Sequence, residues 1–301
     1  MINSDDLRFF HTVASSSTLS AVARFLDITP PSVTQRLQNI ESKLGVKLII
    51  RPARKIILTD EGEILLDRAA RILSDIDALQ DVVDNTRSQV SGTLRVLAPL
   101  GFGYEYVAPL LADYADEHPG LMVDLTLSDA PNWMLADKWD VVIYIGHLRD
   151  SSLHCTRLAS NRRYLCASPA YIARAGAPQH PDDLRHHSCL VIRENAEDVT
   201  RWKFRKGDRE YAIRISPRLS SNDGRIIKKW SLAGGGIMIR SGWDIRQEIE
   251  QGTLVHLLPD YRLPEADIVA LTSLRENARP LRVQKFLDFL KESFNPPSWE
   301  K

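Results

Sequence analysis

The sequence predicts an α/β chain with a small helical head, and three changes of texture along it are the reason. Residues Asp5 to about Leu58 carry short stretches of helical periodicity closed by a brief β-like tail. One long uninterrupted helical pattern runs from Thr59 to about Gln89. After Ser91-Gly92, short β runs alternate with helices to the end, which predicts a mainly parallel sheet layout. With 301 residues the chain has room for about two domains.

In the head, Leu7, Phe10, Val13 and Ala14 recur at helical spacing, and Ser15-Ser16-Ser17 ends that helix. Leu19, Val22, Ala23 and Leu26 define a second helix, followed by the tight connection Asp27-Ile28-Thr29. Thr29 is a suitable N-cap, and Pro30 at the first helical position loses nothing by lacking an N–H. The third helix carries Val33, Leu37, Ile40 and Leu44 inward and stops at Gly45. Its outer face shows Ser32, Thr34, Gln35, Arg36, Gln38 and Asn39. Lys47–Arg51 and Lys55–Leu58 read as two short strands, and Pro52-Ala53-Arg54 between them as a wing.

Helix, short turn, hydrogen-bonding helix and basic hairpin together predict a winged helix-turn-helix that binds double-stranded DNA. Amides, hydroxyls and a guanidinium on the third helix suit base edges in a major groove. Arg51, Arg54 and Lys55 suit phosphates or a narrow minor groove. The competing reading is an ordinary solvated helix face, which does not account for the wing. Net charge gives no help: Lys plus Arg and Asp plus Glu both total 39, so any anion site must come from local clustering.

The long helix starts at Thr59, with Asp60, Glu61 and Glu63 in its first turn. Leu65, Ala69, Ile72, Ile76, Leu79 and Val83 follow at alternating spacings of four and three, a heptad seam. A narrow stripe on so long a helix needs a partner, most simply a second copy of the chain. Docking against its own C-terminal region is the other solution.

On these residues the chain resembles the LysR-type transcriptional regulators. Ser17-Thr18-Leu19-Ser20-Ala21-Val22-Ala23 is similar to the family's second-helix opening. Thr29-Pro30-Pro31-Ser32-Val33-Thr34-Gln35-Arg36-Leu37, Ile40-Glu41 and Leu44–Leu48 are similar to its recognition helix and first wing strand. Arg51–Arg54 and Leu58–Gly62 resemble its wing and linker-helix start, and the likeness runs on through Ala167–Tyr171, Pro181–Leu184 and Gly236–Ile239. The resemblance adds Thr18, Thr29, Pro30 and Pro31 to the expected DNA contacts. It implies a winged-helix domain over 1–58, a dimerising linker helix over 59–90, and a two-subdomain effector domain like a periplasmic binding protein over 91–301. It also implies a tetramer, a dimer of dimers, that regulates transcription in response to a small molecule, with RNA polymerase a candidate partner. Where many members carry Ser-Arg-Gln in the third helix this chain has Thr34-Gln35-Arg36, which bears on the operator read and not on the act of binding. Gly101-Phe102-Gly103, Leu219–Gly224 and Arg240–Asp244 resemble the subgroup of D-malate and tartrate regulators. A small carboxylate effector, a hydroxy-dicarboxylate, follows from that subgroup likeness alone.

The residues themselves agree with a binding module. Leu94–Ala98, Leu121–Leu127 and Trp139–Ile145 read as strands, with Pro99–Gly103 a loop into the helix of Tyr106 to Ala115. In an open parallel sheet, ligands bind beyond the carboxyl ends of the strands. The loops concerned are Pro99–Gly103, Ser128–Asn132 and Gly146–Asp150, so Pro99, Leu100, Gly101, Phe102, Gly103, Asp129, Tyr144 and Gly146 are candidate effector contacts. A second subdomain is expected over 163–266, with the first comprising 91–162 and 267–301, and a cleft between them. Ser221, Asn222 and Asp223 at a helix start, with Arg240 and Ser241 after the strand Gly236–Ile239, complete an expected anion pocket. Core packing is the competing role for Phe102 and Tyr144, a surface ion pair for Arg240, and a plain N-cap for Asp223.

No enzyme is expected. The eight histidines pair only at His186-His187, no Gly-x-Ser-x-Gly occurs, and Gly234-Gly235-Gly236 lacks the Lys-Ser/Thr of a phosphate loop. Three scattered cysteines signal neither a metal site nor a disulfide framework, and no cofactor is implied. The N-terminus lacks signal-peptide features and the apolar runs fall short of a membrane span, so no membrane contact and a cytoplasmic location are expected. The rival to a ligand-responsive regulator is a DNA-binding oligomer whose C-terminal half senses nothing.

Overall fold

The computed structural model describes residues 1–16, 18–50, 56–84, 90–128, 139–146, 153–193, 198–273 and 279–300. The chain divides into two compact units, Met1–Ser88 and Gln89–Lys301.

In the first unit, α1 (Ser4–Ala14) opens with a reciprocal cap: Asn3 Oδ1 accepts from Asp6 N, and Asp6 Oδ2 from Asn3 N. Thr18 caps α2 (Leu19–Phe25) by accepting from Ala21 N at 3.1 Å. The third helix, α3 (Pro30–Leu44), starts on Thr29 and ends at Gly45, whose φ of 75° is the left-handed turn a glycine permits. Short strands β1 (Ile49–Ile50) and β2 (Ile57–Leu58) pair antiparallel. Helix α4 (Asp60–Asp84) follows, with Thr59 Oγ1 accepting from Gly62 N. Phe10, Val13, Val22, Val33, Leu37, Ile40 and Leu48 interlock as the core, the inward stripes of three helices meeting the hairpin. A satellite cluster of Leu7, Ala69 and Leu73 clamps α1 along α4.

The second unit contains two five-stranded sheets. Strand β3 (Gly92–Ala98) leads into a helix of three segments: α5 (Leu100–Phe102), a π turn (Gly103–Val107) and α6 (Ala108–Glu117). Then come β4 (Leu121–Leu127), β5 (Val141–Ile145) and β6 (His154–Ala159). The chain crosses over at Ser160–Arg162 to β7 (Arg163–Ala167), α7 (Pro169–Ala175), β8 (Cys189–Ile192) and the hairpin β9 (Arg201–Lys206) and β10 (Arg209–Arg214). It continues through β11 (Pro217–Ser221), α8 (Gly224–Leu232), β12 (Ile237–Ser241), α9 (Gly242–Glu250) and β13 (Val255–His256). It then returns to the first sheet as β14 (Ile268–Thr272), ending with α10 (Leu281–Ser293). The strand orders are β4-β3-β5-β14-β6 and β11-β8-β12-β7-β13.

Three details correct the sequence reading. The sheets are mixed, not mainly parallel: β3 runs parallel to β4 and β5, but β14 pairs antiparallel with both β5 and β6, and β7 antiparallel with β12 and β13. A chain that leaves one sheet and returns enters it from the opposite end, which reverses those strands. Pro99–Gly103 is not a loop: Leu100 already begins the helix, directly after the extended Pro99. The strand expected from Trp139 starts at Val141, because Asp140 turns its carboxylate to accept Arg95 N at 2.8 Å.

Candidate functional sites: a recognition helix and an inter-lobe cleft

On α3 the side chains divide cleanly. Val33, Leu37 and Ile40 are buried, whereas Pro31, Ser32, Gln35, Arg36 and Asn39 are exposed and Thr34 and Gln38 half-buried. The N-terminal turn is tied by Thr29 Oγ1, 2.8 Å from Ser32 Oγ, and Gln35 Nε2 donates to Asn39 Oδ1 along the face. Arg36, exposed on the same face, also braces α1. Its Nη2 donates to the Asp5 carbonyl at 3.1 Å and its guanidinium lies 4.6 Å over the Phe9 ring, because position 36 flanks α1. Thr18 is engaged as an N-cap. The wing residues Arg51, Arg54 and Lys55 lie outside the described residues.

Two buried carboxylates hold the frame behind this face. Glu41 accepts from Leu48 N at 3.0 Å and from Lys47 Nζ at 2.6 Å, fixing the hairpin to α3. Asp6 accepts from Lys43 Nζ at 2.7 Å, fixing α1 to it. Burial alone would raise both carboxyls, but the hydrogen bonds and the nearby ammonium groups outweigh it and hold both below the usual carboxylate range.

The heptad seam splits along α4. Ala69 is fully covered by its own chain and Leu65 is half-buried against the same core, so Ala69 is withdrawn from any partner contact. Ile72 and Leu79 stay exposed at 46% and 64%, Ile76 is half-buried, and the Val83 side chain lies outside the described residues. The reason is α1, whose Leu7 lies against the first half of the helix.

In the second unit the two lobes face each other across a cleft with two chambers. The inner one, about 50 Å³, is lined by Pro99, Leu100, Gly101 and Phe102 from one lobe and by Asn222, Gly224, Arg240, Ser241 and Trp243 from the other. The outer one, about 510 Å³, is lined by Gly146, Arg163, Ile192, Arg201, Lys203, Ile239 and Leu263 among others. Tyr144, Ile192, Arg240 and Ser241 border both.

Arg240 is the organising charge, and no surface ion pair. Buried to 7% exposure, it donates from Nε to Asp244 Oδ2 at 2.7 Å. Asp244 is also held by Lys228 Nζ at 3.1 Å, and Lys228 reaches Glu248 at 2.9 Å, so two cations and two carboxylates close a neutral set. Burial would lower the Lys228 pKa, but Asp244 and Glu248 raise it above the ordinary lysine value. The Arg240 guanidinium lies flat against Gly224, where any Cβ would collide with it.

Several expected contacts sit elsewhere. Gly103 is buried with its α-carbon against Leu127 and Ala98. Ser221 turns its Oγ to accept from Asp223 N, and Asp223 caps α8 and grips Arg225. Asp129 lies outside the described residues. Phe102 borders the inner chamber but its buried ring packs as core, stacked on Tyr106 at 5.1 Å and edge-on to Trp243 at 5.3 Å.

Sequence reasoning missed Trp243, Asn161 and the cations of the outer chamber. Asn161 sits at the first crossing and donates from Nδ2 to the Ala266 carbonyl of the second crossing (2.8 Å) and to Ser241 Oγ (3.1 Å). It thereby ties both hinge strands to the cleft wall. The alternation Arg201-Trp202-Lys203-Phe204, exposed and buried by turns, was the available signal for the hairpin.

Among the described residues no group of three or more His, Cys, Asp or Glu could hold a metal ion, and no helix is long and apolar enough to cross a membrane. Burial pushes the thiols of Cys166 and Cys189 up to about 12, so both are inert packing groups.

Comparison with known proteins gives the same division. Residues 4–63 match the family described as "Bacterial regulatory helix-turn-helix protein, lysR family", and residues 87–295 match the "LysR substrate binding domain". The transcriptional regulator DmlR of Escherichia coli K12 is 37% identical over 290 residues, 96% of this chain and 94% of that protein. The transcriptional activator TtdR of the same strain is 34% identical over 256 residues, 85% of this chain and 83% of that one. The LysR-type regulator CrgA of Neisseria meningitidis, a solved structure, is 29% identical, with a TM-score of 0.60 over 97% of this chain and 99% of that one.

Proposed function

The chain belongs to the LysR family of transcriptional regulators, and we propose that it grips promoter DNA as an oligomer and answers to an organic acid bound in the inter-lobe cleft. A regulator with a DNA-binding and a substrate-binding domain does no chemistry of its own, and the chain is no enzyme. The observation that carries the ligand-sensing reading is the cleft itself. A two-chambered space with a buried arginine between its chambers, at the hinge of two lobes crossed twice by the chain, suits a small molecule. A C-terminal unit that only held copies together would have no use for such a space.

The DNA contacts follow from the exposed face of α3: Pro31, Ser32 and Gln35 outermost, Thr34 and Gln38 at its edge, with the basic wing at Arg51, Arg54 and Lys55 against phosphates. Pairing of copies along α4 would use Ile72, Ile76, Leu79 and Val83, the part of the seam beyond the α1 clamp, and the dimers would pair again. The effector acts by favouring one lobe arrangement over another, which requires that it bind the two with different affinity.

The test is electrophoretic mobility of the chain's own upstream DNA with the wild type, Arg54→Ala and Leu79→Glu, alongside sedimentation of each. Arg54→Ala should lower the logarithmic salt slope of binding by about one. Leu79→Glu should yield monomers that bind weakly. No preference for the upstream DNA over scrambled duplex would sink the reading.

A further inference from the structure

We infer that the C-terminal turn around Trp299 is a clasp that pins the two lobes together along one flank of the cleft. The lobes swing about that flank and separate along it only when Trp299 leaves its seat. The inference concerns how the lobes are held and is independent of what the cleft binds.

The two crossings do not fix the angle between the lobes by themselves. They lie side by side, Asn161 Nδ2 donating to the Ala266 carbonyl at 2.8 Å, and two neighbouring strands make a hinge. Aromatic contacts bridge the lobes on one flank of that hinge. From the first lobe, Phe102 and Tyr106 stack at 5.1 Å across the π turn. From the second, the Trp243 ring meets them edge-on at 5.3 and 6.0 Å, a separation at which such pairs attract. The approach is so close that a Cβ on Gly101 would stand 3.1 Å from the Trp243 ring. The Tyr106 hydroxyl donates to the Trp243 carbonyl at 3.1 Å and also bonds to the Ser298 side chain. A further contact joins α8 to the first lobe, where the Arg225 guanidinium lies 5.3 Å over the Tyr104 ring.

Trp299 completes the set. Past α10 the chain forms a 3-10 turn, Ser298–Glu300, that lies against α9 of the second lobe. The Trp299 ring is buried there, edge-on to Tyr106 at 5.0 Å and to Phe102 at 5.9 Å. Its Nε1 donates to the Ser160 carbonyl of the first crossing at 3.0 Å. It also borders a small hollow shared with Tyr164, Gly242 and Arg246. One turn of chain therefore meets the first lobe, the crossing and the second lobe at once. The inner chamber borders this flank at Phe102 and Trp243. Beyond it the lobes stand apart across the outer chamber of about 510 Å³, with Tyr144 on one wall and Ile192 on the other. Two bodies pinned on one flank and spaced on the other have one easy motion, a swing about the pinned side.

Double electron–electron resonance on the full chain tests this, with spin labels at Glu117→Cys in the first lobe and Ala173→Cys in the second. Both positions are exposed, Cys155→Ser removes the one exposed thiol, and dilution with unlabelled protein suppresses distances between copies. The clasped protein should give one narrow distance between the lobes. Trp299→Ala should broaden that distribution at least about twofold by releasing a second population. Tyr106→Phe removes two hydrogen bonds and no packing, and should broaden it less. Leu287→Ala opens a cavity in the core of the first lobe, and should lower the melting temperature while leaving the distance unchanged. A distribution unchanged in Trp299→Ala overturns the inference. Equal broadening in Leu287→Ala also overturns it, because the loosening would then be general. Should Trp299→Ala fail to fold, Tyr106→Phe decides, and a distribution identical to the wild type overturns the clasp.

Discussion

The candidate sites of the two units are built in opposite ways. In the first, the candidate side chains point outward from one helix whose other face is core, so a single periodicity both buries Val33 and Leu37 and presents Ser32 and Gln35. In the second, the candidate surface points inward, and its residues come from both lobes, with positions as distant as Pro99 and Arg240 meeting at one small chamber. An outward site is local in sequence and tolerant of its surroundings. An inward site exists only while both lobes hold their geometry, so its stability and its function are bound together.

The largest expected break in that contrast is Asp244→Ala. It removes the carboxylate bonded to the buried Arg240 and leaves Lys228 with Glu248, which should cost about 3–5 kcal/mol. All six tryptophans lie between 133 and 299, so denaturant unfolding followed by tryptophan emission reads the second unit alone. A loss below about 1 kcal/mol would mean that the charge set is ornamental to the fold.

Two neighbouring substitutions on α3 sharpen the other side. Gln35→Ala should leave thermal stability unchanged and cost about 1–3 kcal/mol of discrimination between operator and altered bases, measured by competition binding. Arg36→Ala should do the reverse: about 1 kcal/mol of stability lost with the Asp5 and Phe9 contacts, and base preference kept. Equal effects on operator preference would put Arg36 back among the reading residues.

The smallest effect is on pH. Asp6 and Glu41 have lowered carboxyl pKa values in the folded head, so their contribution is complete above the unfolded carboxylate pKa of about 4 and fades as pH falls through the folded values. Circular dichroism and DNA affinity should therefore weaken on acidification, and Glu41→Gln should flatten that dependence. An acid response identical in Glu41→Gln would show that other groups carry it.

Much of the first unit was legible because its determinants are short-range. Thr29-Pro30, Gly45 and the three-four spacing of apolar residues act within a few positions of themselves. The same reasoning failed at Ala69, where the distant helix α1 covers a position that looks exposed in the sequence. In the second unit several strands were visible, but their directions were not: β14 reads like any apolar run, and only the return of the chain makes it antiparallel.

Sequence alone determined the helices of the first unit, where α2, α3 and α4 begin, and that a hydrogen-bonding face sits on α3. Propensity, capping and periodicity are properties of neighbours along the chain. Tertiary structure decided that Arg240 is paired with Asp244 and that the first part of the α4 stripe is already covered. Burial and charge pairing depend on what lies across space, and residues far apart in the chain carry no local mark of meeting.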